Sequence, residues 1–303
     1  MSKIRKLIHN RNFILLLAAI LGLLLPQGSR WTVNLTLPAL VLIMSLSTMG
    51  FSGDVFRSPK SLIVPAILGI LMNYVVLASF ILGISAIIIH DENLWKGIII
   101  LAVVPPAVAI IPFSEYLNGN STYSFIGTAA GYLGALIIMP LIIFRLLGSS
   151  SFDLSRLPMI MVLLVIVPLL ISRFLIWKRM AEKIEPVKGT ITNWSFFVVF
   201  YSIVGLNQDI FLNQPLRLVP VAVIAIASTF ILGLLIDSVG KLFRIDSKIT
   251  TSLVLLGTLK NYGLAGGLAL TLFDRQTALP ATVSTIFMFI YIAWLGFKVR
   301  RPV

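Results

Sequence analysis

Ten stretches of this chain run apolar for about the length that a bilayer demands: Asn12–Ser29, Trp31–Gly53, Ser61–Ile89, Gly97–Ser114, Ser121–Phe144, Leu157–Ile176, Gly189–Gln208, Leu218–Ile236, Ile249–Phe273 and Gln276–Phe297. Eight of the ten hold no charged residue; the sixth contains Arg173 near its end and the ninth contains Lys260 near its middle. A helix crossing ~30 Å of hydrocarbon needs about 20 mostly apolar residues. A membrane barrel would instead show segments alternating apolar and polar, and these runs do not alternate. Composition agrees: 58% of the 303 residues are apolar and 12% charged, against about 25% charged in soluble chains. A single soluble core of this length could not bury so much apolar side chain.

Several chemistries are excluded at once. The chain has no cysteine, so a disulfide framework, thiol catalysis and thiolate metal sites are out. Its two histidines, His9 and His90, flank apolar runs, which argues against a histidine metal cluster. No cofactor is expected. The first run follows Lys3, Arg5, Lys6 and Arg11 but lacks a small-residue cleavage site after Leu25; Pro26-Gln27-Gly28 reads as a turn. It is therefore read as a retained span, not a signal peptide.

A net charge of +13 would suggest nucleic acid in a soluble protein; in a membrane protein the bases first report topology. With the N-terminus inside and the spans alternating, 17 of the 24 Lys and Arg fall on the inner side and six outside (Arg30, Lys96, Arg145, Arg156, Arg217 and Arg275), leaving Lys260. Both termini are thus expected in the cytoplasm, in a multi-pass protein of the cytoplasmic membrane, with lipid as its surroundings and no nucleic acid as partner.

The expected fold is all-α: ten transmembrane helices as a 5+5 inverted repeat. The mixed-charge connection Lys178–Lys188 reads as a solvated cytoplasmic turn. Residues 1–177 hold the first repeat (spans 1–5) plus span 6, and 178–303 hold spans 7–10, with no soluble domain. In inverted-repeat transporters, Gly/Pro-interrupted spans at matching positions of the two halves mark the binding site. The fourth run carries Pro105-Pro106 at its centre and the ninth carries Gly257, Lys260-Asn261 and Gly263. Each proline removes a backbone donor and clashes with the preceding turn. Backbone broken within hydrocarbon must be covered by protein or face a watery cavity, so both breaks are expected inside, near one another. The bland alternative is a pair of ordinary kinks and small-residue packing contacts.

Lys260 lies about eleven residues from the nearer end of its run, ~16 Å along a helix. A lysine cannot snorkel that far, and an ammonium at the bilayer centre costs about 2.5–3.5 kcal/mol on insertion scales. No carboxylate falls inside any run: Glu115, Asp209 and Asp54 stand at run ends. Three arrangements satisfy Lys260. Backbone carbonyls at a half-helix end hold it, or burial removes its proton, or the transported anion is its partner. Asn73, Ser124, Thr128, Thr258 and Asn261 are the other polar candidates for the same cavity; Ser124 and Thr128, four apart, share a helix face.

Three stretches resemble the bile acid:sodium symporter family over essentially the whole chain: Met49-Gly50-Phe51-Ser52-Gly53-Asp54; Pro105 through Tyr116-Leu117-Asn118-Gly119-Asn120; and Lys260-Asn261-Tyr262-Gly263-Leu264-Ala265. The resemblance implies a panel domain (spans 1, 2, 6 and 7) and a core domain (spans 3–5 and 8–10). It implies crossed, discontinuous helices 4 and 9 whose crossover includes Pro105, Pro106, Ala107, Val108 and Gly263. It also implies uptake of a small or amphipathic organic anion with sodium. The family's sodium ligands carry over only in part. A Ser-Asn pair of the fourth helix is here Ile110-Ile111, a glutamate of the ninth is Leu256, and a glutamine four residues later is Lys260. The fifth-helix hydroxyls remain as Ser124 and Thr128, the third-helix amide as Asn73, and the asparagine near substrate as Asn261. An ammonium repels sodium, so the chain is expected to move its anion without sodium, by proton coupling or by facilitation, with Lys260 supplying the ion's charge. The runner-up is a sodium-coupled bile-acid-type or arsenite-exporter-type carrier. A channel, a sensor or an intramembrane enzyme is less well supported, since no paired catalytic groups lie at membrane depth.

Overall fold

The computed structural model describes residues 11–49, 59–147, 159 and 162–300. Lys3, Arg5, Lys6, His9, Gly50–Asp54, Arg57, Arg156 and Arg301 lie outside them. Every element among the described residues is helical. Among the described residues, six helices are long and apolar enough to cross a membrane: Pro26–Leu46, Leu62–Ile88, Ser121–Leu147, Ala181–Leu206, Pro215–Leu242 and Arg275–Lys298. They correspond to the second, third, fifth, seventh, eighth and tenth apolar runs. The remaining runs form shorter helices, and the fourth and ninth are each split in two.

In chain order the helices used below are α1 (Arg11–Leu24), α2 (Thr36–Thr48), α3 (Pro59–Ile70), α4 (Ala78–Ile88), α5 (Glu92–Val103), α6 (Ile110–Tyr116), α7 (Ser121–Leu147), α8 (Val167–Trp177) and α9 (Ala181–Leu206). They continue as α10 (Val219–Ile226), α11 (Leu232–Leu242), α12 (Ser247–Leu256), α13 (Tyr262–Leu272) and α14 (Leu279–Arg300). Helices α1 and α2 pack on α9, and α8 packs on α2. On the other side α3 packs on α7, α12 on α7 and α11, and α13 on α5 and α14. Helices α3 and α7 meet where Gly69 faces Gly127, with no room for a Cβ on either.

The split segments are the most enclosed part of the molecule. Ile98 through Val104 are all buried, as are Leu255, Leu256, Leu259, Leu264 and Leu268. An element apolar on all sides must be surrounded, and a broken one must be surrounded to satisfy its backbone. The long helices behave oppositely: Leu133, Ile137, Leu141 and Phe144 form an exposed stripe along α7, as a lipid-facing surface does.

Two features recur at corresponding runs. A wide π-type turn interrupts the third run at Leu71–Leu77 and the eighth at Ala227–Ile231. An aspartate caps the start of the fourth run and of the ninth. Asp91 accepts from the N–H groups of Asn93 and Leu94 at 3.0 and 3.1 Å, and Asp246 from Lys248 and Ile249 at 3.0 and 3.1 Å. Such caps satisfy N–H groups that a helix start leaves bare.

One expectation is corrected. Lys178–Lys188 is not a solvated turn throughout: only Lys178–Met180 turns, with Arg179 at φ 54°, and α9 begins at Ala181. Residues Ala181 to Glu185 are mostly good helix formers. Pro186 removes one bond, to the carbonyl of exposed Glu182, which water can serve.

Candidate functional site

The break in the fourth run starts where α5 ends: Val104 is extended, at φ −63° and ψ 152°, and two prolines follow without N–H groups. The break in the ninth run starts at Gly257 and ends at Asn261. The two broken strands lie antiparallel and pair at Pro106 and Lys260. The N–H of Ala107 donates to the carbonyl of Leu259 at 3.3 Å, and the N–H of Asn261 donates to the carbonyl of Pro105 at 3.0 Å. The breaks thus satisfy each other, as backbone in hydrocarbon must. Gly131 of α7 allows the contact: a Cβ there would stand 2.6 Å from Cδ of Pro106.

Lys260 is fully buried beneath this pairing. Its Nζ donates to Oδ1 of Asn73 at 2.7 Å, to the carbonyl of Asn73 at 3.0 Å and to the carbonyl of Val104 at 3.1 Å. It also stands 4.9 Å from the ring centre of Tyr74, a cation–π distance. Three acceptors match the three N–H groups of an ammonium; a neutral amine offers two. Of the arrangements open from sequence, carbonyls at a half-helix end are within reach, because Val104 ends α5. Asn73 contributes twice because it sits in the π-type turn, where its carbonyl also takes the N–H of Ala78. Wide turns of this kind gather at functional sites.

Asn261 joins three elements. Its Oδ1 caps α13 by accepting from the N–H of Leu264 at 3.0 Å, and its Nδ2 donates to the Tyr132 hydroxyl at 2.7 Å and approaches Sδ of Met44 at 3.6 Å. Gly263 packs against the Phe196 ring with no space for a side chain. Thr258 turns away: its hydroxyl donates to the carbonyl of Val254 at 2.7 Å, the ordinary habit of a helical threonine.

The positions that lack a sodium ligand of the resembling family carry hydrocarbon side chains instead. Leu256 is fully buried against Gly127, Ile110 is fully buried, and Ile111 packs on Phe125 and Ile126. Among the described residues, the hydroxyls of Ser124 and Thr128 and the Nδ2 of Asn73 bond to no protein group. No group of three or more metal-ligating side chains occurs among the described residues.

Beside the crossover lies a cavity of about 520 Å³, between α1, α2 and α9 on one side and the broken segments with α14 on the other. Ala107, Val108, Asn261 and Gly263 form its inner wall. Lys260 belongs to that wall, but its ammonium points away, to Asn73. Phe196, Phe200 and Met288 supply apolar surface, and Thr192, Asn193, Thr282 and Thr285 supply polar groups. Sequence reasoning missed these four. They carried the signal that singled out Asn73, a polar side chain in an apolar run, and Thr282 and Thr285 sit at helical spacing. Glu185 and Lys188 mark the mouth, near the start of α9. At the other end of α9, Nη1 of Arg275 donates to the carbonyl of Leu206 at 2.9 Å, and Nδ2 of Asn207 donates to the carbonyl of Arg275 at 2.9 Å.

Residues 13–295 match the SBF-like CPA transporter family. Two relatives are similar over most of the chain. One, named "Probable sodium/metabolite cotransporter BASS1, chloroplastic", from Arabidopsis thaliana, is 24% identical over 89% of this chain and 68% of its own length. The other, "Uncharacterized protein YbaS" of Bacillus subtilis, is 22% identical over 94% of each chain.

Proposed function

The chain belongs to the SBF-like CPA transporter family, and from that premise we propose that it carries an organic anion across the cytoplasmic membrane by alternating access, without sodium. Membership makes it a multi-pass membrane transporter rather than an enzyme, and it agrees with the resemblance read from the sequence. The finer reading has ten spans in two opposed sets of five, with both termini in the cytoplasm. Support for the repeat comes from the matched breaks, π-type turns and aspartate caps. Spans 1, 2, 6 and 7 act as the panel and the rest as the core. The cavity between them opens toward the cytoplasm at Glu185 and Lys188, and the Arg275 contacts with Leu206 and Asn207 close the outer end until the domains shift.

The observation that carries the sodium-independent reading is Lys260, whose ammonium fills its three hydrogen bonds from within the crossover. An ammonium at that place repels a sodium ion, and Leu256, Ile110 and Ile111 offer no side-chain oxygen. Sodium binding needs oxygen ligands, as hard cations do. The unbonded hydroxyls of Ser124 and Thr128 favour the second reading, a sodium-coupled carrier, as does the printed name of the Arabidopsis relative. Uptake of a panel of labelled carboxylates into proteoliposomes, under imposed sodium, proton and potassium gradients in turn, separates the two. Saturable uptake indifferent to sodium is expected; uptake driven by a sodium gradient would overturn this reading.

A further inference from the structure

Charge at the cavity is scarce. Among the residues lining it, Lys188 and Lys260 are the cations and Glu185 the anion. Lys260 is committed to Asn73 and Val104 and has no exposed surface. An anion entering from the mouth therefore meets Lys188. That side chain is 23% exposed although it stands about two turns from the start of α9, whereas the side chain of Glu185 is 65% exposed. Lys188 is turned into the cavity and Glu185 toward water. The two are joined through both carboxylate oxygens, at 3.3 and 3.4 Å. These are long for charge-assisted bonds, which usually measure about 2.7–2.9 Å. An exposed pair of this kind, three residues apart on a helix, contributes little to folding.

We propose that Lys188 is the cation that receives the cargo's negative charge, and that Glu185 is a built-in stand-in for that charge, displaced when the anion arrives. The proposal rests on the anion-carrier reading and names the residues that serve it. With the pair closed, the mouth of the empty cavity carries no net charge, and the empty carrier reorients without dragging an unpaired ammonium toward hydrocarbon, a costly move. With cargo bound, Glu185 swings to water and the anion takes its place on Lys188. The plain alternative is a solvated helix pair that plays no part in transport. That alternative predicts that neutralising either partner has the same small effect. Stand-in behaviour predicts opposite effects.

The test uses the full chain in proteoliposomes with radiolabelled benzoate as the probe, measured as net uptake and as exchange against internal benzoate. Lys188→Gln is expected to raise KM about tenfold, with the larger part of the effect in KM rather than kcat. Glu185→Gln is expected to lower the KM of exchange about threefold while slowing net uptake, because the empty carrier now returns with an unpaired lysine. Lys183→Gln, on the exposed face of the same helix and outside the cavity, serves as the control and leaves KM unchanged. Raising ionic strength should weaken benzoate affinity in the wild type and much less in Lys188→Gln. If Glu185→Gln and Lys188→Gln shift KM in the same direction, or neither shifts it while benzoate is transported, the stand-in is disproved and the anion-carrier reading survives. If the wild type shows no saturable uptake of benzoate, or of any carboxylate in the panel, the anion-carrier reading falls and the stand-in falls with it.

Discussion

The break in the fourth run has no polar side chain at its centre, only Pro105 and Pro106, whereas the break in the ninth has a lysine and an asparagine. Prolines remove donors and so leave the first break rich in carbonyls. Lysine and asparagine add donors and so leave the second rich in N–H groups. Val104 accepts from the Lys260 side chain and Pro105 from the main-chain N–H of Asn261, while Ala107 donates its N–H to Leu259 in return. Two interruptions that each look destabilising alone are complementary when crossed. The difference also assigns labour. The first break contributes shape and acceptors, while the second contributes the charge and the cap of α13.

Removing the charge from the donor-rich side should do the most damage. Lys260→Met leaves Oδ1 of Asn73 and the carbonyl of Val104 buried without donors, a loss on the order of 3–5 kcal/mol. The melting temperature in detergent should fall by roughly 10 °C, and transport should cease. A melting temperature within a few degrees of the wild type would mean that the ammonium is not what joins the breaks.

Pressing on the acceptor-rich side should cost less. In Gly131→Val the new side chain meets Pro106, whose Cδ lies 2.6 Å from the position of a Cβ. Overpacking of this sort costs about 1–3 kcal/mol. Scanning calorimetry should register a fall of about 5 °C, and an unchanged transition would place the crossover further from α7 than described.

Asn261→Ala removes a cap worth about 1 kcal/mol together with the partner of the Tyr132 hydroxyl. A decrease of roughly 3 °C is expected. Asn261→Asp, which keeps the capping oxygen, should recover part of it; no recovery would assign the loss to Tyr132 instead.

The smallest effect should come from the cap of α5, which differs from its counterpart at Asp246 in holding an ion pair with Arg217. Burial alone would raise the Asp91 carboxyl, but the N–H of Leu94, Arg217 and the N–H of Asn93 outweigh it and hold the group below its ordinary value. A lowered folded value stabilises at neutral pH, and the gain is lost as pH falls through that value. Arg217→Gln should therefore melt no more than about 2 °C lower at pH 7, with the gap closing only in acid below the ordinary carboxylate range. A gap that widens in acid would contradict the assignment.

Both breaks were legible in the sequence because proline and glycine act locally, and Lys260 was legible because an ammonium in an apolar run has no local explanation. Its partners were not. Asn73 was named for its amide, yet half its contribution is a backbone carbonyl turned inward by the π-type turn, and no residue type in Leu71–Leu77 announces such a turn. The polar wall of Asn193, Thr282 and Thr285 was missed because it exists only once α9 and α14 face each other across the cavity. The helical start of α9 was read as a loop because its charges are numerous, although their residue types favour a helix. Ser124 and Thr128 share a buried face as their spacing required, but spacing alone could not tell that neither would find a protein partner.

The antiparallel pairing at Pro106 and Lys260 is made by main-chain atoms: Ala107 with Leu259 and Asn261 with Pro105. Main-chain bonds do not read side-chain identity. Val108 and Ala109, which stand in the cavity wall just past that pairing, can be exchanged for other residues of similar size while the frame keeps its shape. The place where the two broken strands cross is thus fixed, and what is displayed around it is free to vary. A scaffold built this way can be retuned for a new cargo by replacing wall residues one at a time, without the chain ever having to relearn how to fold.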